Sequence, residues 1–260
     1  MKKIARLLLV FGFLILAVQP VHAAASSSSS KSGLALPMGV QVKFDAASSP
    51  KDVSQSIKIL LLMTLLSLAP TAIIMTTSFT RILIVFGFLR HALGTQSSPP
   101  AQILTGMALF LTLFIMTPVW KQINEEAIQP YVAEKITQEE AWELGTRPLK
   151  TFMARQTGAS EMKLFSELSG TSLQTDVQKV GLETLIPAFM ISELKKAFQL
   201  GFLIYLPFLV IDLVVSTVLM SLGMMMLPPM MVSLPLKLLF FVLADGWTVM
   251  VRSLVQSFSG

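Results

Sequence analysis

Charged side chains interrupt the strongly apolar C-terminal part of this 260-residue chain. A charge at the centre of a bilayer costs at least about 2.5 kcal/mol, so such residues commonly serve proton transfer, ion conduction or another function. They can instead pair and fix helix packing, within one chain or between subunits, and the near balance of acids and bases favours this second role. The predicted network contains Glu193, Lys195, Lys196, Asp212, Lys237 and Asp245.

Lys237 requires an acidic partner if it lies inside the protein. Asp212 precedes it by about 25 residues, and a helical hairpin of that length could bring the two together. Glu193 is the second candidate. The sequence does not choose between these two acids.

The residues that enzyme chemistry needs are largely missing. An intramembrane aspartyl protease uses two carboxylates that share a proton, but Asp245 lies in Leu-Ala-Asp-Gly and not in the usual Gly-x-Gly-Asp. The chain has no cysteine, only two histidines and no phosphate-binding Gly-rich loop. We therefore expect no enzyme activity, no cofactor and no metal site, while a proton-coupled role for Asp212 or Asp245 stays open.

The composition indicates a membrane protein. Hydrophobic residues make up 53% of the chain and charged residues 13%, with a mean hydropathy of +0.69. A soluble domain carries about 25% charged residues, so the composition excludes an ordinary soluble enzyme and a disordered chain. Long uncharged stretches predict an all-α membrane protein made of hydrophobic helices.

The N-terminus is typical of a secretory signal peptide at residues 1–23. Lys2, Lys3 and Arg6 precede an apolar run, and small residues up to Ala23 form a cleavage site. The run is too short to cross a bilayer of about 30 Å comfortably, which favours cleavage over the alternative of an uncleaved anchor. Losing these bases removes most of the net charge of +5, so nucleic acid is not an expected partner.

Composition divides the remainder into four segments. They are a flexible Ser-rich arm at 24–56, a first hydrophobic helical block at 57–120, a polar, mainly helical domain at 121–186 and a second hydrophobic block at 187–260. Candidate membrane helices are 57–76, 101–120, 188–211 and about 231–256. If the mature N-terminus lies outside the cytoplasm, Arg81 and Arg90 lie on the cytoplasmic side and the polar domain lies in the periplasm.

Prolines and methionines mark the irregular parts of the hydrophobic blocks. Helix breaks are predicted at Pro70, Pro207, Pro228, Pro229 and Pro235. Backbone groups freed there need protein or water as partners, so the breaks should line a cavity or lie within an oligomer. Residues 223–231 also hold five methionines, which would make a soft apolar loop able to close round a polypeptide. Composition alone favours an ordinary apolar hairpin tip.

Several long motifs, found in order, resemble the FliP family. They include IPAFMISELKKAF from Ile186, GFLI from Gly201, PFLVID ending at Asp212, GMMMLPP from Gly223, SLPLK ending at Lys237 and DGW from Asp245. Earlier matches are TSFTR ending at Arg81, LGTQ from Leu93 and PPAQ from Pro99. The resemblance covers residues from about 55 to 258, and its length makes it far more specific than a single short motif.

The resemblance implies a core subunit of the export gate of the flagellar type III secretion system. It implies a homo-oligomer, a pentamer in this family, that assembles with FliQ and FliR, and with FlhB and FlhA, in the basal body at the bacterial inner membrane. Unfolded flagellar subunits would pass along its axis. The family further implies bent hydrophobic hairpins that do not all span lipid. Met224, Met225 and Met226 then become a gasket around the closed pore, and the charged residues become candidates for intersubunit pairs.

Two alternatives use the same residues differently. The homologue of the virulence injectisome would have the same fold in another machine. Those relatives are generally shorter and lack a cleaved signal peptide, so residues 1–56 favour the flagellar version. A monomeric proton-coupled transporter is more remote, and it would use Asp212 and Asp245 as proton sites without forming a ring.

Overall fold

The computed structural model describes the backbone of residues 33–35, 41–43, 50–95, 98–170, 177–224 and 227–259, with side chains from residue 57 onward. The predicted signal peptide at 1–23 lies outside the described residues, as does most of the predicted arm at 24–56. The chain forms two compact units, residues 1–67 and 68–260. Within the first, strand β1 (Gly33–Ala35) pairs antiparallel with β2 (Gln41–Lys43), and Leu34 lies opposite Val42.

Apart from these two strands, the described residues form helices and their connections. Helix α1 spans Pro50–Met75, α2 spans Phe79–Ala92, and α3 spans Ala101–Ile123 and continues through a π turn (Asn124–Ile128) into α4 (Gln129–Val132). Polar helices α5 (Gln138–Gln156) and α6 (Ala159–Leu168) and a 3-10 turn (Val177–Lys179) follow. The last helices are α7 (Leu182–Ser221), α8 (Pro229–Leu243) and α9 (Gly246–Gln256).

Helix α2 lies at the centre of the main core. Its residues Ile82, Val85, Phe86 and Leu89 are buried and recur at the three- and four-residue spacing that places side chains on one helical face. This helix packs against α7 and α3. The approach to α7 is close because Gly201 has no side chain: a Cβ there would lie 2.4 Å from the ring of Phe88.

A smaller core joins the polar helices to the start of α7. Met153 of α5 and Phe189 of α7 are both fully buried there, together with Leu185. Thr137 caps α5 by accepting a hydrogen bond from the backbone N–H of Glu140, whose carboxylate accepts one in return from the backbone N–H of Thr137. The sequence Thr137-Gln138-Glu139-Glu140 fits this capping box, and the structure confirms it.

Three described helical segments are long and apolar enough to cross a membrane: Ile57–Met75 within α1, Ala101–Val132 and α7. Helices α8 and α9 meet the same test only as a pair, and they are bent by 65° relative to each other. The prediction of an all-α membrane protein is confirmed. The sequence predicted four membrane spans. The described residues contain four only if α8 and α9 together count as one span.

Helix α7 is longer than a bilayer is thick. Its 40 residues extend about 60 Å at 1.5 Å per residue, against about 30 Å of hydrocarbon. Its charges at 193, 195 and 196 lie in the first half, which packs against α5 and α6. The apolar second half alone is long enough to cross lipid, with Asp212 as its one charged residue.

The prolines have two different places in the helices. Pro228 precedes α8 and Pro229 is its first residue, where the missing N–H costs no intrahelical bond. Pro70, Pro207 and Pro235 instead lie inside α1, α7 and α8, so they do not end helices, contrary to the prediction. A proline removes one backbone hydrogen bond, and in an apolar setting the chain keeps the others because no water is available to replace them.

Candidate functional site

Arg81 in the first turn of α2 is fully buried and forms an ion pair with Glu193 of α7. Its Nε donates to Oε2 of Glu193 at 2.9 Å, and its Nη2 donates to Oε1 of the same carboxylate. Two parallel hydrogen bonds are the strongest geometry that an arginine and a carboxylate can form. Neither side chain has access to solvent, so removing one would leave a charge without a partner in the interior.

The remaining donors of Arg81 reach two further parts of the chain. Its Nη2 also donates to Oε1 of Gln156 at the end of α5, at 2.9 Å. Its Nη1 donates to the carbonyl oxygen and to Oγ of Ser257, each at 2.9 Å. The ring of Phe258 covers the guanidinium at 3.8 Å, a cation–π contact. These five residues, here called the arginine cluster, join α2, α5, α7 and the C-terminal segment.

Two lysines of α7 extend the arginine cluster towards the polar helices. Lys196 donates through Nζ to the carbonyl oxygen of Gln156 at 2.9 Å and to its Oε1 at 3.2 Å. Lys195 donates to Oε1 of Glu161 in α6 at 2.9 Å. The hydrogen bond from Lys195, aided by one from the Ser160 hydroxyl, lowers the pKa of Glu161 below its ordinary value.

A second ion pair joins α7 to α8. Nζ of Lys237 lies 2.6 Å from Oδ2 of Asp212. The lysine side chain is 4% exposed and the aspartate side chain is 35% exposed, so only the acid reaches the surface of the chain. Of the two partners that the sequence left open for Lys237, the structure brings Asp212 to it, while Glu193 is held by Arg81.

Asp245 stands apart from these ion pairs. It is exposed and forms the corner between α8 and α9, where its φ of 49° places it in the left-handed region. Among the residues that the structure describes, no basic side chain forms an ion pair with it. The predicted buried network is therefore not one network within a chain. Its members belong to three ion pairs, in which Glu193 pairs with Arg81, Lys195 with Glu161 and Lys237 with Asp212. Asp245 is an exposed acid, and an intersubunit pair for it stays a prediction.

Arg81 and Arg90 lie at opposite ends of α2. Arg81 begins the helix, where it contacts Gln156 of the polar helices, and Arg90 lies in its last turn. Their spacing of nine residues places them about 14 Å apart along the helix axis, so they do not share one site. Their location on the cytoplasmic side stays a prediction.

The methionine-rich segment lies between α7 and α8. Gly223 has a φ of +72°, a conformation that glycine adopts without strain, and the exposed Met224 follows it. Met225 and Met226, the other two residues of the predicted gasket, lie outside the described residues. The gasket itself stays a prediction.

Sequence reasoning missed several members of the arginine cluster and its surroundings. Gln156 and Glu161 belong to the domain predicted to be polar at 121–186, yet both are buried. Ser257 and Phe258 carried no recognisable signal. Arg81 did carry a signal in the sequence, because a charge that follows a long uncharged run needs a partner of its own. In the part of the chain that the structure describes, no cluster of His, Cys, Asp and Glu could hold a metal ion.

Comparison with known proteins gives a consistent result. A model described as the FliP family matches residues 62–254. The "Flagellar biosynthetic protein FliP" of Bacillus subtilis (strain 168) is 51% identical over 213 residues, which cover 82% of this chain and 96% of that protein. The protein of the same name from Pectobacterium carotovorum is 49% identical over 203 residues, covering 78% and 79%. That of Aquifex aeolicus is 44% identical over 205 residues, covering 78% and 86%.

Proposed function

Because this chain belongs to the FliP family, we propose that it is a core subunit of the flagellar type III secretion export gate. It is a membrane component of flagellar biosynthesis with a structural role and not an enzyme. The single observation that carries the proposal is the similarity that extends over residues 62–254, which includes these ion pairs and the methionine-rich segment. Unfolded flagellar proteins are the proposed cargo.

The proposed gate is a homo-oligomer, a pentamer, assembled with FliQ and FliR and in contact with FlhB and FlhA. Its place is the bacterial inner membrane at the flagellar basal body, with the polar helices in the periplasm. The exposed apolar surface supports this proposal. Val242 and Leu243 at the end of α8 are 74% and 77% exposed, and side chains of this kind require lipid or a partner protein as a covering surface.

The closed state is proposed to depend on the methionine-rich segment. Met224, Met225 and Met226 of each copy would meet around the axis, because methionine is flexible enough to fill an irregular gap and to yield to varied polypeptides. Gly223 supplies the turn that directs this segment away from α7. We expect replacement of all three by alanine to leave assembly intact and to let small ions leak through the closed complex.

This gasket can be tested by conductance measurements on assembled complexes in planar bilayers. The matched control replaces Met230 and Met231 at the start of α8 by alanine, which removes methionines of the same region from outside the gasket. We expect a leak in the first variant and none in the control. An equally tight closed state in the triple variant, at normal assembly, would contradict the gasket.

The gate assignment is tested by the native mass of the detergent-extracted protein, expressed alone and with FliQ and FliR. We expect a discrete homo-oligomer that gains mass with both partners. A stable monomer that ignores them would overturn the proposal and favour a proton-coupled transporter. Rescue of motility in a strain that lacks its own FliP, without rescue of an injectisome, distinguishes the flagellar machine from the virulence homologue.

A further inference from the structure

A cavity of about 640 Å³ opens where the end of α2 meets the starts of α3 and α8. It lies within the unit formed by residues 68–260, away from the arginine cluster. Its polar lining comes from Arg90, His91, Thr95 and Thr105, and its apolar lining includes Leu83 and Met230. A cavity of this size fits a small ligand, and convergent polar groups within an apolar lining are typical of a binding site.

The electrostatics of this cavity favour an anion. Arg90 and His91 line it, and its described lining contains no acid. The ammonium of Lys237 also lies near its edge, since a Cβ on Gly94 would be 3.9 Å from Nζ, but its charge is already balanced by Asp212. The first turn of α3 contains no acid either, so the positive end of that helix dipole is not neutralised there. The opposing negative end of α2 is offset by Arg90 and His91 in its last turn.

The surface around the cavity is apolar. Ile103 at the start of α3 is 54% exposed, and Met230 is 61% exposed while its neighbour Met231 is 72% exposed. A ligand with an anionic head and hydrocarbon chains would match both parts, because its head would enter the cavity and its chains would follow the exposed faces of α3 and α8. Basic pockets between membrane helices bind phospholipid head groups in this way.

We propose that this cavity binds the phosphate of an anionic phospholipid. Arg90 provides the charged contact, and the His91 imidazole and the Thr95 and Thr105 hydroxyls lie within the same lining. This site is independent of the export-gate assignment, because it requires only that the protein lies in a membrane. A bound lipid would hold the ends of α2, α3 and α8 together where no buried ion pair of the arginine cluster reaches them.

The test is native mass spectrometry of the full-length protein, extracted in detergent and titrated with phosphatidylglycerol. Phosphatidylcholine with the same acyl chains and inorganic phosphate serve as the other two probes. We expect retention of phosphatidylglycerol and little of the other two. The Arg90→Gln variant should bind it about fivefold more weakly, because one arginine is lost near an anionic group. The double variant with His91→Gln should bind it more weakly still.

Two controls keep the test decisive. Arg252→Gln removes an exposed arginine from α9, outside this cavity, and should leave lipid binding unchanged. Thr105→Phe fills the cavity without changing a charge and should weaken binding, which covers the case in which Arg90→Gln fails to fold. Equal retention of both lipids, or unchanged binding in the double variant, would overturn the proposal. Retention of inorganic phosphate without lipid selectivity would instead show a site for free anions and would also overturn it.

Discussion

The ion pairs Arg81–Glu193 and Lys237–Asp212 contain similar charges in different surroundings. Arg81 and Glu193 are both completely buried, and the guanidinium makes hydrogen bonds with Gln156 and Ser257 as well. Lys237 and Asp212 form one short contact, and the acid lies partly at the surface of the chain. The first pair and its partners come from four parts of the chain. The second can separate at a smaller cost, so it is the better suited of the two to exchange partners between subunits.

The largest effect is expected from Arg81→Met, which leaves Glu193 charged, buried and without its partner. We expect the free energy of unfolding to fall by about 3–5 kcal/mol. The measurement is chemical denaturation of the detergent-extracted protein. The double variant Arg81→Met with Glu193→Met should recover much of this loss, because a buried apolar pair carries no desolvation penalty. A loss below about 1 kcal/mol in the single variant would contradict a buried pair.

A smaller loss should follow from Phe258→Ala. The ring covers the guanidinium of Arg81 and lies 6.4 Å from the ring of Phe152. Losing both contacts should lower the free energy of unfolding by about 2 kcal/mol. Phe110→Ala is the matched control, since that ring is 70% exposed. If both variants lost the same amount in denaturation experiments, the C-terminal segment would not be part of the arginine cluster.

Lys237→Ala should cost the isolated chain less, about 1–2 kcal/mol, because Asp212 lies partly at the surface and is not sealed in the interior as Glu193 is. In the assembled complex, this substitution should impair assembly more than gating. We expect fewer complexes to form, and those that do form should export normally. Measuring the yield of complexes together with the export per complex tests this expectation. The charge-reversed pair Lys237→Asp with Asp212→Lys should restore yield. Normal yield with lost export would refute the expectation.

The smallest effect concerns Glu161, whose pKa is lowered by Lys195. A carboxylate with a lowered pKa in the folded protein stabilises it above the ordinary value of 4.5, and this stabilisation disappears as the pH falls through the lowered value. The stability difference between the protein and its Glu161→Gln variant should therefore shrink from neutral pH to below pH 4. In a Lys195→Gln background the difference should depend much less on pH, and an unchanged dependence there would exclude Lys195 as the cause.

Local features of the sequence predicted much of this fold. The uncharged stretches indicated the membrane helices, and the Thr137–Glu140 spacing indicated the start of α5. The pair of Arg81 with Glu193 was not predicted, because 112 residues separate them and no local pattern records such a distance. Asp212 and Lys237 are only 25 residues apart, across one helical hairpin. Because of this short separation, the sequence predicted Asp212 as one of two possible partners for Lys237.

The arginine cluster also constrains the order of events during synthesis. Arg81 leaves the ribosome 112 residues before Glu193 and 176 residues before Ser257. At about 5–20 residues per second, its carboxylate partner arrives on the order of 6–20 s later. Throughout that interval Arg81 lacks the carboxylate with which it pairs in the folded chain. The core around α2 can therefore close only after α7 has been made, and the arginine cluster is completed last, by the C-terminal segment.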